Sequence, residues 1–203
     1  MASTAKGRLP ARGEQVRIIG GEWRSRRLRF PVAPDLRPTP DRVRETLFNW
    51  LGQNVSGWRV LDLFAGSGVL GFEALSRGAA WAGFVEKSPR VARALMSNLE
   101  LLGAAPERFT VWTRDARQWL AAPPPEAGTG IDLVFLDPPF RQPQLLQEAL
   151  DRLAEASWLA VDAYLFVEGV EPASLKLPPG LVIHRQTRAG ESGSLLLRRE
   201  KGG

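Results

Sequence analysis

Cysteine is absent from this chain, and histidine occurs once, as His184. The first absence excludes disulfides, thiolate zinc sites and cysteine nucleophiles. The second excludes the histidine clusters and two-histidine motifs that hold many catalytic metals. Long apolar runs are also missing: none approaches the ~20 residues of a membrane-spanning helix, and Met1 to Gly13 lacks the hydrophobic stretch of a signal peptide. The expectation is a cytoplasmic protein, a monomer, without metal or membrane partner. Its 203 residues suffice for one domain with a sizeable core and a small appendage.

Acidic residues are scarce in one stretch only. Residues 1–44 carry 11 Lys and Arg against 4 acids, a net +7, whereas the remainder sums to −2. A basic leading segment on a nearly neutral body suits a polyanion, because arginine forks grip phosphates and each neutralised phosphate releases counterions. Arg17, Arg24, Arg26, Arg27 and Arg42 are the candidate nucleic-acid contacts in this stretch. A merely solvated charged face is the plainer alternative.

The chain divides into three parts. Residues 1–14 are polar, basic and rich in small side chains, as expected of a disordered arm. Residues 15–56 read as a β-hairpin, Val16 to Ile19 and Glu22 to Phe30, turning at Gly20-Gly21, and then a helix to about Gln53 that begins at Pro40 and is capped by Thr39. Val43, Leu47, Trp50 and Leu51 mark the apolar face of that helix. Residues 57–200 alternate strand and helix, the signature of a mostly parallel sheet wrapped by helices. The expected strands are 59–64, 81–86, 109–113, 131–136, 164–168, 181–187 and 194–199, the last two paired as an antiparallel hairpin around Gly190 to Gly193. Helices are expected to about Arg77, from Ser88-Pro89 to Gly103, over 116–121 and over 144–156.

After the first of these strands, Phe64-Ala65-Gly66-Ser67-Gly68-Val69-Leu70-Gly71 contains GxGxxG, and Glu86, followed by Lys87, lies 20 positions beyond Gly66. The physics is common to several cofactors: glycines let the backbone approach a ligand at a helix N-terminus, and an acid at the next strand end accepts from ribose hydroxyls. NAD is one reading. Three features favour S-adenosylmethionine. Asp62, four residues before Gly66, would repel a pyrophosphate but suits a ligand ammonium. Some 58 residues precede the strand that leads into the motif, whereas dinucleotide folds usually open with it. Asp115-Ala116, after the third strand, is placed to bond an adenine amine.

Asp137-Pro138-Pro139-Phe140 ends the fourth strand and should lie beside the glycine turn, since ligands of open α/β sheets bind at the carboxyl ends of strands. An exocyclic base amine is a poor nucleophile because its lone pair is delocalised into the ring. The Asp137 carboxylate and Pro138 carbonyl can hold its two N–H bonds out of plane, Pro138 and Pro139 fix the backbone, and Phe140 offers a face for stacking the base. Carbon-5 methylation of pyrimidines, which uses a cysteine adduct, is excluded. His184 reads as a surface or hairpin residue.

With these residues in place, the chain resembles the bacterial 16S ribosomal RNA guanine-N2 methyltransferase family RsmD. The resemblance is carried by Arg17-Ile18-Ile19-Gly20-Gly21-Glu22-Trp23-Arg24, Leu36-Arg37-Pro38-Thr39, Asp41 to Leu51, Leu61 to Gly68, and Asp137 to Phe140. It implies a class I methyltransferase fold, Rossmann-like, with a seven-stranded sheet and an N-terminal hairpin that docks RNA and lids the cofactor. It also implies methylation of one guanine within the small ribosomal subunit or its assembly intermediate, Arg37 and Thr39 near the cofactor, and Arg24, Arg26 and Arg27 near RNA phosphates. A DNA adenine-N6 methyltransferase would share Asp137 to Phe140, a non-catalytic RNA-binding module would use the arginines alone, and an NAD-dependent reductase would share the glycine turn.

Overall fold

A computed structural model describes residues 13–33, 36–138, 142–170, 175–189 and 192–200. The arm up to Arg12 and the hairpin turn at Gly190 and Glu191 lie outside the described residues. The N-terminal appendage contains β1 (Glu14–Arg17) antiparallel to β2 (Arg27–Phe30), then α1 (Asp41–Trp50). β2 alternates strictly: Leu28 and Phe30 are buried while Arg27 and Arg29 are exposed, so its arginines fan out on one face.

The hairpin does not turn at Gly20-Gly21. Its connection runs from Ile18 to Arg26, and the two glycines serve as a close-approach surface. The Glu22 amide donates to the Ser76 carbonyl at 2.7 Å, the Trp23 amide donates to the Ser76 hydroxyl at 2.8 Å, and that hydroxyl donates to the Gly20 carbonyl at 2.6 Å. Gly21 has φ of 76°, and a Cβ there would lie 1.9 Å from the Ser76 carbonyl oxygen. Thr39 does not cap α1 either: Pro40 occupies the cap position and no side chain accepts there.

The body follows the expected alternation: β3 (Arg59–Asp62), α2 (Val69–Ser76), β4 (Trp81–Glu86), α3 (Pro89–Leu102), β5 (Phe109–Thr113), α4 (Ala116–Ala121), β6 (Ile131–Leu136), α5 (Pro143–Ala154), β7 (Leu159–Val170), β8 (Leu181–Ala189) and β9 (Ser192–Arg199). Ser88 caps α3, accepting from the Val91 amide, and Gly103 ends it in a left-handed conformation. The sheet order is β5-β4-β3-β6-β7-β9-β8, parallel as far as β7, with β9 antiparallel to both neighbours.

Both faces of this sheet are covered, and period-two alternation sorts each strand's side chains between them. Val60, Phe84, Leu133, Phe135, Phe166 and Leu196 face one core; Leu61, Val85, Val134, Leu136, Val167 and Leu197 face the other. The first core also contains Ile18, Trp23, Leu28, Phe30, Leu47 and Phe48, so the appendage is continuous with the body's hydrophobic interior. A buried ionic clasp reinforces the join. Arg44, fully buried on α1, donates to the carbonyls of Arg17 and Thr39 and pairs with Asp41 and with fully buried Glu73 of α2. Glu73 also accepts from the Ile19 amide at 2.6 Å and pairs with Arg77.

Candidate active site

Four acids stand at the carboxyl ends of four adjacent parallel strands: Glu86 ends β4, Asp62 ends β3, Asp137 follows β6, and Glu168 lies near the end of β7. Neighbouring strands are about 4.8 Å apart. The sheet therefore gathers into one row carboxyls that the chain separates by up to 106 positions.

The glycine turn lies at the Asp62–Glu86 side of the row. Gly68 takes φ of 75° as α2 begins, and a Cβ there would meet Leu95 at 2.4 Å and Phe72 at 2.6 Å. Asp62 is 4% exposed and accepts from the Gly71 amide at 3.3 Å, which braces the turn against the start of α2. Glu86 accepts from the Gly66 amide at 3.0 Å and the Ser88 amide at 2.7 Å, fixing both carboxylate oxygens while leaving each a lone pair. Asp115 caps α4 by accepting from the Arg117 amide at 2.9 Å, and Ala116 is buried behind it. Ala65 and Ser67 are buried, Phe64 packs partly buried against the second core, and Lys87 is exposed.

The segment from Leu36 to Thr39 crosses this edge. Leu36 lies over Gly66, Arg37 is exposed, and the buried Thr39 hydroxyl donates to Glu168 Oε2 at 2.7 Å. Asp137 and Pro138 are partly buried at the end of β6; Pro139 and Phe140 lie outside the described residues.

Burial, with crowding of like charges at Asp62 and Asp137, raises the affinity of these carboxyls for protons. Burial pushes Asp137 up to about 8, with the Glu168 and Asp62 charges adding to the rise. Burial likewise pushes Asp62 up to about 7, opposed by the Gly71 amide and assisted by the charges of Glu86 and Glu168. Glu168 is raised by burial, against the Thr39 hydroxyl and the Arg44 charge. Such a row is suited to a cationic ligand, and a sulfonium that also carries an ammonium meets that need where a pyrophosphate does not. Among the described residues no cluster of three or more potential ligands is arranged to hold a metal ion.

Glu168 and Arg44 are the two participants that reasoning from the sequence missed. Glu168 carries the same signal as Asp137, an acid at the end of a predicted strand. Arg44 looked like one more surface charge. His184 sits on β8, the edge strand, its ring 5.4 Å from that of Tyr164.

A parallel sheet closed by an antiparallel edge, a glycine turn after β3, an acid ending β4 and the Asp137-Pro138 turn after β6 together define a class I methyltransferase. The chain belongs to the family described as Conserved hypothetical protein 95, which it matches over residues 16–198, and several of its relatives carry the name ribosomal RNA small subunit methyltransferase D. The Ribosomal RNA small subunit methyltransferase D of Escherichia coli K12 is 45% identical over 190 residues, covering 93% of this chain and 92% of that protein. Its counterpart of the same name in Haemophilus influenzae is 41% identical, covering 89% and 91%. Among solved structures, the putative methyltransferase yhhF from Escherichia coli has a TM-score of 0.82 at 42% identity, covering 93% of this chain and 100% of that one.

Proposed function

We propose that the protein methylates the exocyclic N2 amine of one guanine in 16S rRNA, acting on the small ribosomal subunit or an assembly intermediate. The observation that carries this reading is the position of Asp137-Pro138, at the strand end next to the glycine turn. S-adenosylmethionine is the methyl donor, supplying a methyl group activated on a positively charged sulfur. Gly66 to Gly68 give its amino-acid end a close backbone approach, Glu86 accepts from its ribose, and Asp115 with the Ala116 amide reads its adenine. Leu36, Arg37 and Thr39 close over the same pocket.

Asp137 and the Pro138 carbonyl each accept one N–H of the target amine. That pulls the nitrogen out of conjugation and turns its lone pair toward the donor. The positive charge of the bound donor favours the ionised form of Asp137, which then takes the proton that the nitrogen loses once the fourth bond has formed. A desolvated carboxylate is a better proton acceptor than one in water, and positioning contributes more than base strength to a displacement of this kind. Phe140 stacks the flipped base. Arg17, Arg24, Arg26, Arg27 and Arg42 hold phosphates.

Mass spectrometry of 16S rRNA from a strain deleted for this gene tests the reading. One N2-methylguanine should disappear, and the purified protein with S-adenosylmethionine should restore it on subunits from that strain. An unchanged set of base methyls, or a lost methyl on another base, would overturn it.

A further inference from the structure

At the carboxyl edge Asp137 stands between two halves of the sheet. The glycine turn, Glu86 and Asp115 lie toward β3, β4 and β5, on one side of Asp137; β7 lies on the other. A donor bound along the first side leaves the β7 side for the acceptor base. Leu136 of β6 is in register with Val167 of β7, so Asp137 and Glu168, each one residue further on, are level on adjacent strands. Leu136 and Val167 both face the second core, and alternation therefore directs Asp137 and Glu168 to the opposite face, where the appendage packs.

Glu168 is also held. Its Oε2 accepts from Thr39, whose own carbonyl accepts from buried Arg44 at 3.0 Å. Burial raises the proton affinity of Glu168, and the Thr39 hydroxyl and the Arg44 charge oppose that rise. Among the described residues Thr39 is the only hydrogen-bond partner of its carboxylate, which leaves Oε1 available to a ligand.

Base amines differ in what flanks them. The N2 amine of guanine is next to N1–H, a donor. The N6 amine of adenine lies between two ring acceptors, and the N4 amine of cytosine next to one. We propose that Glu168 is the base-selecting residue: its free oxygen accepts from guanine N1–H while Asp137 and the Pro138 carbonyl hold the adjacent amine. The inference rests on the guanine-N2 reading above and adds the group that enforces it. An adenine in the same place would set a ring lone pair against a carboxylate, so the site rejects it by repulsion as well as by a lost bond.

Glu168→Gln tests this with little change of shape. Thr39 can still donate to the amide oxygen, which turns the NH2 group toward the base and replaces an acceptor with a donor. The substrates are small subunits from the deletion strain, and subunits reconstituted with 16S rRNA in which the acceptor guanosine is replaced by 2-aminopurine riboside, which keeps the 2-amine but has an unprotonated N1. The wild-type protein should prefer guanine on the order of 10–100-fold in kcat/KM, the span expected for one base-edge hydrogen-bond pattern. Glu168→Gln should lose about that factor on guanine and narrow or reverse the preference, with S-adenosylmethionine Kd by calorimetry unchanged within about threefold, which also shows the variant to be folded. Equal wild-type rates on the two bases would overturn the proposal while leaving the methyltransferase reading intact. So would a rise in S-adenosylmethionine Kd that accounts for the loss, since Glu168 would then belong to the donor's pocket. If wild type makes no N2-methylguanine, both readings fall together.

Discussion

At the scale of single residues, the acid row is costly to hold without a ligand. Asp62 and Asp137 bind protons in the folded protein at pH values where the same groups in an unfolded chain have already released them. Where the native state holds the extra protons, stability falls as pH rises. The loss therefore begins near the ordinary carboxylate range, about 4, and is complete above about 8, where Asp137 finally ionises. Without donor, the protein should melt at a higher temperature at pH 6 than at pH 9, and Asp137→Asn should flatten that slope in a thermal scan. A melting temperature with the same pH dependence in both proteins would count against a buried, protonated Asp137. Activity gives a separate check on the same side chain. Asp137→Ala should lower turnover on the order of 10²–10³-fold, the usual consequence of removing one oriented polar group from a reacting centre. Affinity for S-adenosylmethionine, read by calorimetry, should stay within a few fold if Asp137 serves the acceptor as proposed.

At the scale of elements, much of the body was legible because each strand and helix states its own case: near-continuous apolar runs in β3, β4 and β6, Ser88-Pro89 opening α3, Gly103 closing it. Four features were not, and for a common reason. Gly20-Gly21 fits a tight turn as well as a close approach to a helix end, and only the position of Ser76 decides. Thr39 before Pro40 is a sound local cap, but its hydroxyl goes to Glu168, 129 positions away. Arg44 is buried because Glu73 waits on α2. Glu168 matters because β7 lies next to β6, and strand order is not written in any local pattern. Each depends on a partner distant in sequence. The Arg44 clasp can be tested as an element-level joint between α1 and α2. Removing one member of a buried ion pair costs about 3–5 kcal/mol, since the other is left uncompensated. Glu73 keeps Arg77, so Arg44→Met should fall near the lower end, about 3 kcal/mol, or a melting temperature lower by roughly 6–12 °C for a chain of this size. Glu73→Gln in the Arg44→Met background should recover part of that loss; a double variant as unstable as the two losses added would show that the residues do not act as a pair.

At the scale of the whole molecule, the appendage spans the body from one end to the other. Leu36 and Thr39 lie at the carboxyl edge beside the acids, whereas the Ile18–Arg26 connection packs at the far ends of α2 and α3, through Ser76 and through the Leu101 carbonyl that Arg26 holds at 2.9 Å. α2 is eight residues long, and at 1.5 Å per residue that separates the two ends by about 12 Å before loops are added. Arg24 is exposed near that far end and borders an open cleft of about 500 Å³ whose other walls include Glu45, Asn49, Gln53 and Arg77, while Arg27 is exposed at the start of β2, beside Arg17 and Asp41. On the proposed reading, phosphates gripped there would belong not to the base being methylated but to RNA that extends well past it. A folded particle presents such a surface, and a short oligonucleotide carrying only the target guanine does not. Arg24→Ala and Arg27→Ala should therefore weaken binding to small subunits, with a log–log salt slope shallower by roughly one per lost phosphate contact. Turnover of bound subunits should be almost unchanged, because neither residue approaches the acids. Arg26, already committed to Leu101, should contribute less. A salt slope that both variants leave untouched would confine recognition to the carboxyl edge and reduce the arginine face to solvated charge.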